Sequence, residues 1–574
     1  MKIIVGINAN HADSSACVII DGKLVAAIEE ERLNRIKHFS GFPIKSVQEC
    51  MKIAKIHSNQ ITDIAFNTKP FSNLLHKSIF FLKNLSFNKN QSTKRILKKI
   101  NIKKKLLDNF HLNDDVNFHF IEHHLAHIAS AFYPSGFEKA NGLSIDGSGD
   151  FVTCAIAECE KNSIKIKKKT FFPHSLGIFY HGMTQFLGFN NYGDEYKIMG
   201  LAAYGVAKYF DKIKNNLFID KPNNFFNLNL EYFNHQKPGY KYITGDSLEI
   251  DLIYENKLKD LFSDEINQEN SYDDFQKNFA CSVQKVYEFY FEKIISDIIK
   301  KKFSKNLVYS GGCALNSTAN QYITNHNYFD NIYISYAPGD NGGAIGAALI
   351  VSSTHNEKFE NSENPYLGTK YSNNEILSVL RDKNYKEKIS YELIKDQDLY
   401  KLSAKIISDG NIIGWFQDEM EFGPRALGNR SILADPRNPK MKDIINKKIK
   451  RRESFRPFAP VTLREFQNEW FESNFINPYM SSLSIVKKDK QKSIPAITHI
   501  DGTARIQTVE KKTNLKLASL IESFYEITNV PVLLNTSFNE NEPIVMKPHE
   551  ALNCILRNDL DFLVIGNFLI KKIN

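Results

Sequence analysis

The chain opens on β-patterned sequence. Lys2 to Gly6 is dominated by β-branched residues, Ala16 to Ile20 is apolar, Asp21-Gly22 supplies a two-residue turn and Leu24 to Ile28 returns, which predicts a strand followed by a hairpin. The loop after the first strand, Gly6 to Ser15, holds small residues and ends in Asp13-Ser14-Ser15. A second strand pair is expected at Gly142 to Thr153, around the acidic turn Asp146-Gly147-Ser148-Gly149-Asp150, so the two halves echo each other. Two further apolar runs, Leu307 to Ser310 and Ile332 to Ser335, lead into glycine loops. These are Gly311-Gly312-Cys313-Ala314-Leu315-Asn316 and Ala337-Pro338-Gly339-Asp340-Asn341-Gly342-Gly343, the latter followed by a small-residue helix over Ala344 to Val351. Glycines at a helix start let the backbone approach an anionic ligand closely.

Past Val351 the sequence turns polar and rich in Asn and Ser, which predicts a linker near 352–365 between domains at 1–355 and 366–574. The second domain is expected to carry a strand at Ile412 to Phe416, a dense run of Gly, Pro, Arg and Lys from Gly423 to Pro460, and strands around Val532 and Phe562. Asn215 to Asp274 has the turn-residue density of an insertion into the first domain.

Composition supports two domains: 574 residues with 42% hydrophobic and 12% aromatic content exceed what one core organises. No apolar run reaches the roughly 18 residues of a spanning helix, and the apolar start is cut by Asn8, Asn10, His11 and Asp13, so a cytoplasmic protein with no membrane segment and no signal peptide is expected. Seven scattered cysteines without a C-x-x-C pair argue for reduced core thiols. The net charge of +9 is concentrated in residues 71–107, which hold ten Lys and Arg and no acid, leaving a body of 9 − 10 = −1. The default reading of this stretch is a solvated amphipathic helix pair with its Ile, Leu and Phe turned the other way, and nucleic acid is disfavoured as a partner.

The sharpest chemical signal is Glu122-His123-His124-Leu125-Ala126-His127. His123 and His127 stand four apart and project from one helix face, as two imidazole ligands must. A carboxylate from Asp146 or Asp340 would complete a site suited to Fe(II) or a similar divalent ion. In the second domain, Arg425 and its neighbours in Gly423 to Ser431, then Lys450, Arg452 and Arg456, place cations beside glycine and proline turns, the setting of a phosphate or carboxylate pocket. Thr498 to Arg505 and Leu534 to Asn539 add hydroxyls, amides and one more guanidinium.

The ordered set His11-x-Asp13-Ser-Ser-Ala, Glu29 to His38, His-His-Leu-Ala-His, Asp-Gly-Ser-Gly-Asp, Ser175 to Tyr180, Gly193 to Gly205, Ser-Gly-Gly-Cys-Ala-Leu-Asn, Pro-Gly-Asp-Asn-Gly-Gly, Gly-Pro-Arg-Ala-Leu-Gly-Asn-Arg-Ser-Ile, Arg452 to Pro460, His499 to Arg505 and Asn535 to Asn539 resembles the NodU/CmcH-type O-carbamoyltransferases over nearly the whole chain. The resemblance implies an α/β protein with an N-terminal TsaD-like domain of actin-like ATPase fold and a C-terminal YrdC-like α/β domain. It also implies a two-step reaction, in which carbamoyl phosphate and ATP (with Mg2+) form carbamoyl adenylate in the C-terminal domain. The carbamoyl group then passes to the hydroxyl of a small, sugar-containing acceptor in the N-terminal one. By this resemblance Arg425, Lys450, Arg452, Arg505 and Ser537 hold the phosphates, and Lys37, Asp146, Gly311, Gly312, Asn316 and Asp340 line the second nucleotide cleft. His123, His127, Asp146 and Asp340 bind the metal, and His11 or Asp13 removes the acceptor's proton. A tRNA-carbamoylating enzyme that grips RNA through residues 71–107 is the alternative, and a homodimer is an open possibility for the assembly.

Overall fold

A computed structural model describes the chain except residues 84–101, 222–223, 246–247, 269–271, 356–358, 361 and 574. Lys89, Lys94, Arg95, Lys98 and Lys99 of the basic run lie outside the described residues. The chain forms two compact α/β units, Met1–Glu363 and Asn364–Asn574.

The N-terminal unit is built on two five-stranded sheets with one topology. In the first, β1 (Ile3–Asn8), β2 (Ser15–Ile20) and β3 (Lys23–Glu29) form an antiparallel meander, and β4 (Asp63–Phe66) and β5 (Asn117–Phe120) add to β1 in parallel, giving the order β3-β2-β1-β4-β5. The second sheet repeats this with β6 (Lys139–Gly149), β7 (Val152–Glu160), β8 (Ser163–Phe171), β9 (Asn306–Ser310) and β10 (Asn331–Ile334), in the order β8-β7-β6-β9-β10. The first hairpin turns as expected at Asp21-Gly22, both at positive φ, the twist that suits a two-residue loop. The second does not turn at Asp146. Strand β6 runs on to Gly149 through an irregularity in register after Ile145, and the turn falls at Asp150-Phe151, again both at positive φ. Asp146 therefore sits on the disrupted stretch of a strand, where its side chain is free of the ladder's alternation.

Three helices of this unit matter below: α1 (Leu74–Lys83), α2 (His123–Ser135) and α3 (Gly342–Thr354). Helix α3 takes in Ser352, Ser353 and Thr354, which composition assigns to the linker. Ser353 and Thr354 donate their hydroxyls to the carbonyls of Ile350 and Val351, so they continue the helix instead of ending it. Helix α3 packs against α2 and β1 at backbone distance. A Cβ on Gly346 would lie 1.8 Å from the carbonyl oxygen of Ala126, and one on Gly6 would lie 2.1 Å from that of Ala344. The expected insertion contributes a buried aromatic set, Phe225, Phe226, Tyr232, Phe233 and Tyr254, and so packs onto the unit instead of looping away from it.

The C-terminal unit centres on a mixed eight-stranded sheet of β11 (Ile389–Leu393), β12 (Ile413–Phe416), β13 (Arg430–Ala434), β14 (Ala459–Leu463), β15 (Gln507–Val509), β16 (Val532–Ser537), β17 (Phe562–Ile565) and β18 (Phe568–Lys572). Its order is β11-β18-β17-β12-β13-β16-β14-β15. Helices Asp396–Ser408 and Leu515–Thr528 pack on each other, and one core runs through Trp415, Ile432, Leu533, Val564, Ile521 and Phe524.

Because the atom facing Gly346 is backbone, a methyl there cannot be absorbed by a rotamer change. Gly346→Ala is expected to destabilise the N-terminal unit by about 2 kcal/mol or more, read as a lowered melting temperature.

Candidate functional sites in the two units

Helix α2 starts at Glu122, whose carboxylate accepts the Leu125 amide and caps the first turn. This start sets His123 and His127 on one face, fully buried, with their Nε2 atoms 3.0 Å apart. Asp146 comes from the disrupted end of β6. Its Oδ1 accepts the Gly312 amide at 3.0 Å and its Oδ2 lies 3.2 Å from His123 Nε2 and 3.7 Å from His127 Nε2. Asp340 comes from the loop before α3, with Oδ1 at 3.3 and 3.4 Å from the same two nitrogens. One ligand atom from each of the four residues lies within 4.8 Å of all the others.

Electrostatics tie the four together. Burial alone would discourage charge on His123, but its hydrogen bonds to Asp146 and Asp340 outweigh that and lift it well above the ordinary histidine range. Burial likewise opposes ionisation of Asp146, and the two imidazoles hold it well below the usual carboxylate range. A buried and a half-buried carboxylate facing two buried imidazoles, whose Nδ1 atoms find no partner among the described residues, form a donor set that fits a divalent cation. His124, between the two ligands in sequence, bonds Ser144 and the Val152 carbonyl, and burial, then His123 and His127, push it down to about 3. It is a neutral packing residue.

Of the other expected residues, Gly311 has φ 93° and packs on the backbone of Ile145, so with Gly312 it brings the loop against β6. Asn316 does not face the cluster through a free amide: its Oδ1 caps the helix Ser317–Asn325, and its amide pairs with Gln284. His11 is buried, with its ring 4.8 Å from that of His123. Lys37 is exposed and acts on Glu31 and His38 through its charge.

Sequence reasoning passed over His38. Its Nδ1 lies 2.8 Å from Asp13 Oδ1, and its backbone amide donates to Glu31 Oε2, whose other oxygen is held by Arg32. Burial lowers the affinity of His38 for a proton, but Asp13 more than compensates and raises it. The Tyr192 ring meets His38 edge-on at 5.2 Å, and the hydroxyl is held protonated by burial and then by the charges of Asp13 and Asp340. A Cβ on Gly193 would lie 2.6 Å from His38 Nε2, so glycine lets the chain pass this close to the ring. The motif Gly193-Asp194-Glu195 was visible in sequence, but nothing in its spacing points to His38.

The C-terminal unit gathers cations. Lys450 ends a π-helical turn, Ile445–Lys450, and is buried, with its Nζ donating to the Ser537 carbonyl, Asn539 carbonyl and Asn539 Oδ1 at 2.6–2.8 Å and to Ser537 Oγ at 3.3 Å. Burial and then the charge of Arg452 push it well below the ordinary lysine range. Arg505 is depressed by burial and then by Arg425, Arg452 and Arg456, and its Nε has no partner among the described residues. Arg452 is anchored by Asn446 Oδ1 and stacks over Phe458. Arg425, Lys450, Arg452, Arg505 and Ser537 are therefore brought into one neighbourhood, joined by Arg456 and Asn539. Such mutual repulsion is relieved by an anion. Arg430, in the same glycine-rich run, is different: fully buried, it donates to the carbonyls of Gln417, Asn429, Thr369 and Asp418 and stacks on Phe416. Glu421 Oε1 accepts the amides of Leu427, Asn429 and Arg430, and so shapes the loop that carries Arg425.

Family models described as carbamoyltransferase N-terminus and carbamoyltransferase C-terminus match residues 3–349 and 404–572. The chain belongs to the carbamoyltransferase family. The uncharacterized protein sll1178 of Synechocystis sp. is 37% identical, over 100% of this chain and 97% of that one. Nodulation protein NolNO of Sinorhizobium fredii is 35% identical, over 98% of this chain and 79% of its own. Component A of Acidaminococcus fermentans (R)-2-hydroxyglutaryl-CoA dehydratase aligns at TM-score 0.34 and 12% identity, covering 62% of this chain and 100% of that one. This carbamoyltransferase has no helix among its described residues long and apolar enough to cross a membrane.

If the four-residue cluster of this carbamoyltransferase holds an ion, His123→Ala and His127→Ala will each lower the metal content of the purified protein from about one divalent ion per chain to near zero. Elemental analysis reads this directly, with circular dichroism confirming that the fold persists.

Proposed function

We propose that this carbamoyltransferase works in two steps on two sites. In the C-terminal unit, water cleaves carbamoyl phosphate to carbamate and phosphate, and the carbamate oxygen attacks the α-phosphorus of ATP to give carbamoyl adenylate, with pyrophosphate leaving. In the N-terminal unit a hydroxyl of a small, sugar-containing acceptor attacks the carbamoyl carbon and AMP departs. The observation that carries the first step is the cation neighbourhood of Arg425, Lys450, Arg452, Arg456 and Arg505, because two polyanions meet only where their charge is offset. For the second, the support is the His123, His127, Asp146 and Asp340 set, which would hold Fe(II) or a similar ion. Such an ion supplies a Lewis acid for a carbonyl or phosphoryl oxygen. The repeated strand order of the N-terminal sheets supports reading that unit as an actin-like ATPase fold of the TsaD-like kind, and the reading of the C-terminal unit as YrdC-like rests on the motifs of its sequence.

The acceptor's proton goes to the Asp13–His38 pair in this reading. An alcohol is a poor nucleophile until a base takes its proton, and the pairing of His38 Nδ1 with Asp13 steadies the imidazolium as it forms. His11 instead packs its ring against that of His123.

Arg425→Ala or Lys450→Ala should abolish carbamoyl adenylate formation, followed by mass spectrometry of ATP and carbamoyl phosphate incubations, while supplied adenylate partly restores transfer. Normal adenylate formation by either variant would refute the role given to the C-terminal unit. His38→Gln should leave adenylate formation intact and lower transfer by at least about tenfold, and full transfer by this variant would return the base to His11.

A further inference from the structure

The segment Tyr192–Glu195 links the Asp13–His38 pair to a second histidine–carboxylate pair. At one end the Tyr192 ring meets His38 edge-on and Gly193 backs onto its Nε2, and two residues on Glu195 Oε1 lies 2.6 Å from His181 Nδ1. Two residues of chain span about 7 Å at most, which puts the Glu195 backbone and His38 in one neighbourhood. The Tyr192 ring lies 6.2 Å from that of His181 as well. His181 comes from the helix Leu176–Phe186, whose start is fastened to the strand that carries Asp146: Ser175 Oγ donates to the Asp146 carbonyl at 3.1 Å, and a Cβ on Gly177 would lie 2.9 Å from the Gly147 amide nitrogen. Four residues beyond Gly177, His181 falls on the same helix face.

The two members of this second pair differ in exposure. His181 is 5% exposed, whereas the Glu195 side chain is 33% exposed, and His181 is the one side chain among the described residues that hydrogen-bonds to it. Burial opposes ionisation of Glu195, but His181, then its own amide and the charge of His38, hold it below the usual carboxylate range. Glu195 is thus a fixed, ionised acceptor that is partly open to solvent. An ionised carboxylate repels the phosphate of an adenylate and suits a partner that brings hydrogens. Nor does the leaving AMP call for a general acid, because a phosphate monoester departs without a proton near neutral pH. We propose that Glu195, steadied by His181, binds a second hydroxyl of the acceptor, other than the one whose proton goes to the Asp13–His38 pair, and so selects polyhydroxylated acceptors over simple alcohols. This inference rests on the reading of the N-terminal unit as the transfer site and names a specificity residue within it. A hydrogen bond to an ionised acceptor is among the stronger ones, and this one is made before and during transfer alike, so it acts on acceptor binding and not on bond making.

Carbamoyl transfer by the full-length protein, from carbamoyl phosphate and ATP to the methyl glycosides of glucose, galactose and mannose and to their monodeoxy analogues, tests this. The parent should use at least one glycoside and lose about tenfold or more in kcat/KM when one particular hydroxyl is missing. Glu195→Gln keeps the shape and the bond to His181 but leaves an amide N–H donor where the second carboxylate oxygen stood. It should raise KM for that glycoside by about tenfold with little change in kcat, and it should no longer distinguish the deoxy analogue. His181→Leu should act in the same direction, whereas His181→Asn, which keeps a donor where Nδ1 stands, should retain the discrimination. Equal losses on the glycoside and its deoxy analogue, with their ratio unchanged, would make the pair structural and overturn the proposal, as would full discrimination by Glu195→Gln. A parent that forms adenylate yet carbamoylates no glycoside would overturn the sugar-acceptor reading, and this inference with it.

Discussion

Two carboxylates, Asp146 and Asp340, are held side by side where water is scarce, and the N-terminal unit is organised around that arrangement. Left alone, each would raise the other's pKa and favour a proton. The paired imidazoles of His123 and His127 keep both ionised, and each neighbouring element serves this geometry. The β6 irregularity releases Asp146 from the ladder, Gly312 donates an amide to its second oxygen, and Gly149 lets the strand pass where a Cβ would lie 1.9 Å from the His123 ring. Asp150, just beyond, accepts the His123 amide and the Lys69 amide, so the turn that replaced the expected one also fixes the start of α2.

The C-terminal unit meets the opposite problem. Lys450 is out of water and Arg505 is half-buried, without a carboxylate among the hydrogen-bond partners described for Lys450, and a state of this kind persists only if the rest of the unit enforces it. Enforcement comes from the eight-stranded sheet and from Glu421, whose single oxygen gathers three amides of the glycine-rich loop. A cationic neighbourhood and a cluster of two carboxylates with two imidazoles thus stand on separate cores.

Much of this was legible in the chain. The hairpin at Asp21-Gly22, the histidines at i and i+4, and the cations beside glycine and proline are local signals, because turn conformation, helix periodicity and charge density depend on neighbours in sequence. Where local signals had rivals, reading failed. Asp146-Gly147-Ser148-Gly149 looks like a turn and is the end of a strand, because pairing with β7 continues past it. Ser352 to Thr354 looks like linker and is helix, because the hydroxyls of Ser353 and Thr354 bond back to their own turn. Arg430 looks like a ligand cation and is a core residue, because four carbonyls and the Phe416 ring enclose it.

The sequence by itself determined the membership of the chain in its family, the α/β elements and the residue types of both sites. Only the tertiary structure decided that Asp146 and Asp340, 194 positions apart, meet the same two imidazoles and that His38 pairs with Asp13. The physical reason is the same in each case. Which long-range contact a side chain makes depends on how sheets, loops and helices stack, and neither periodicity nor turn chemistry carries that information.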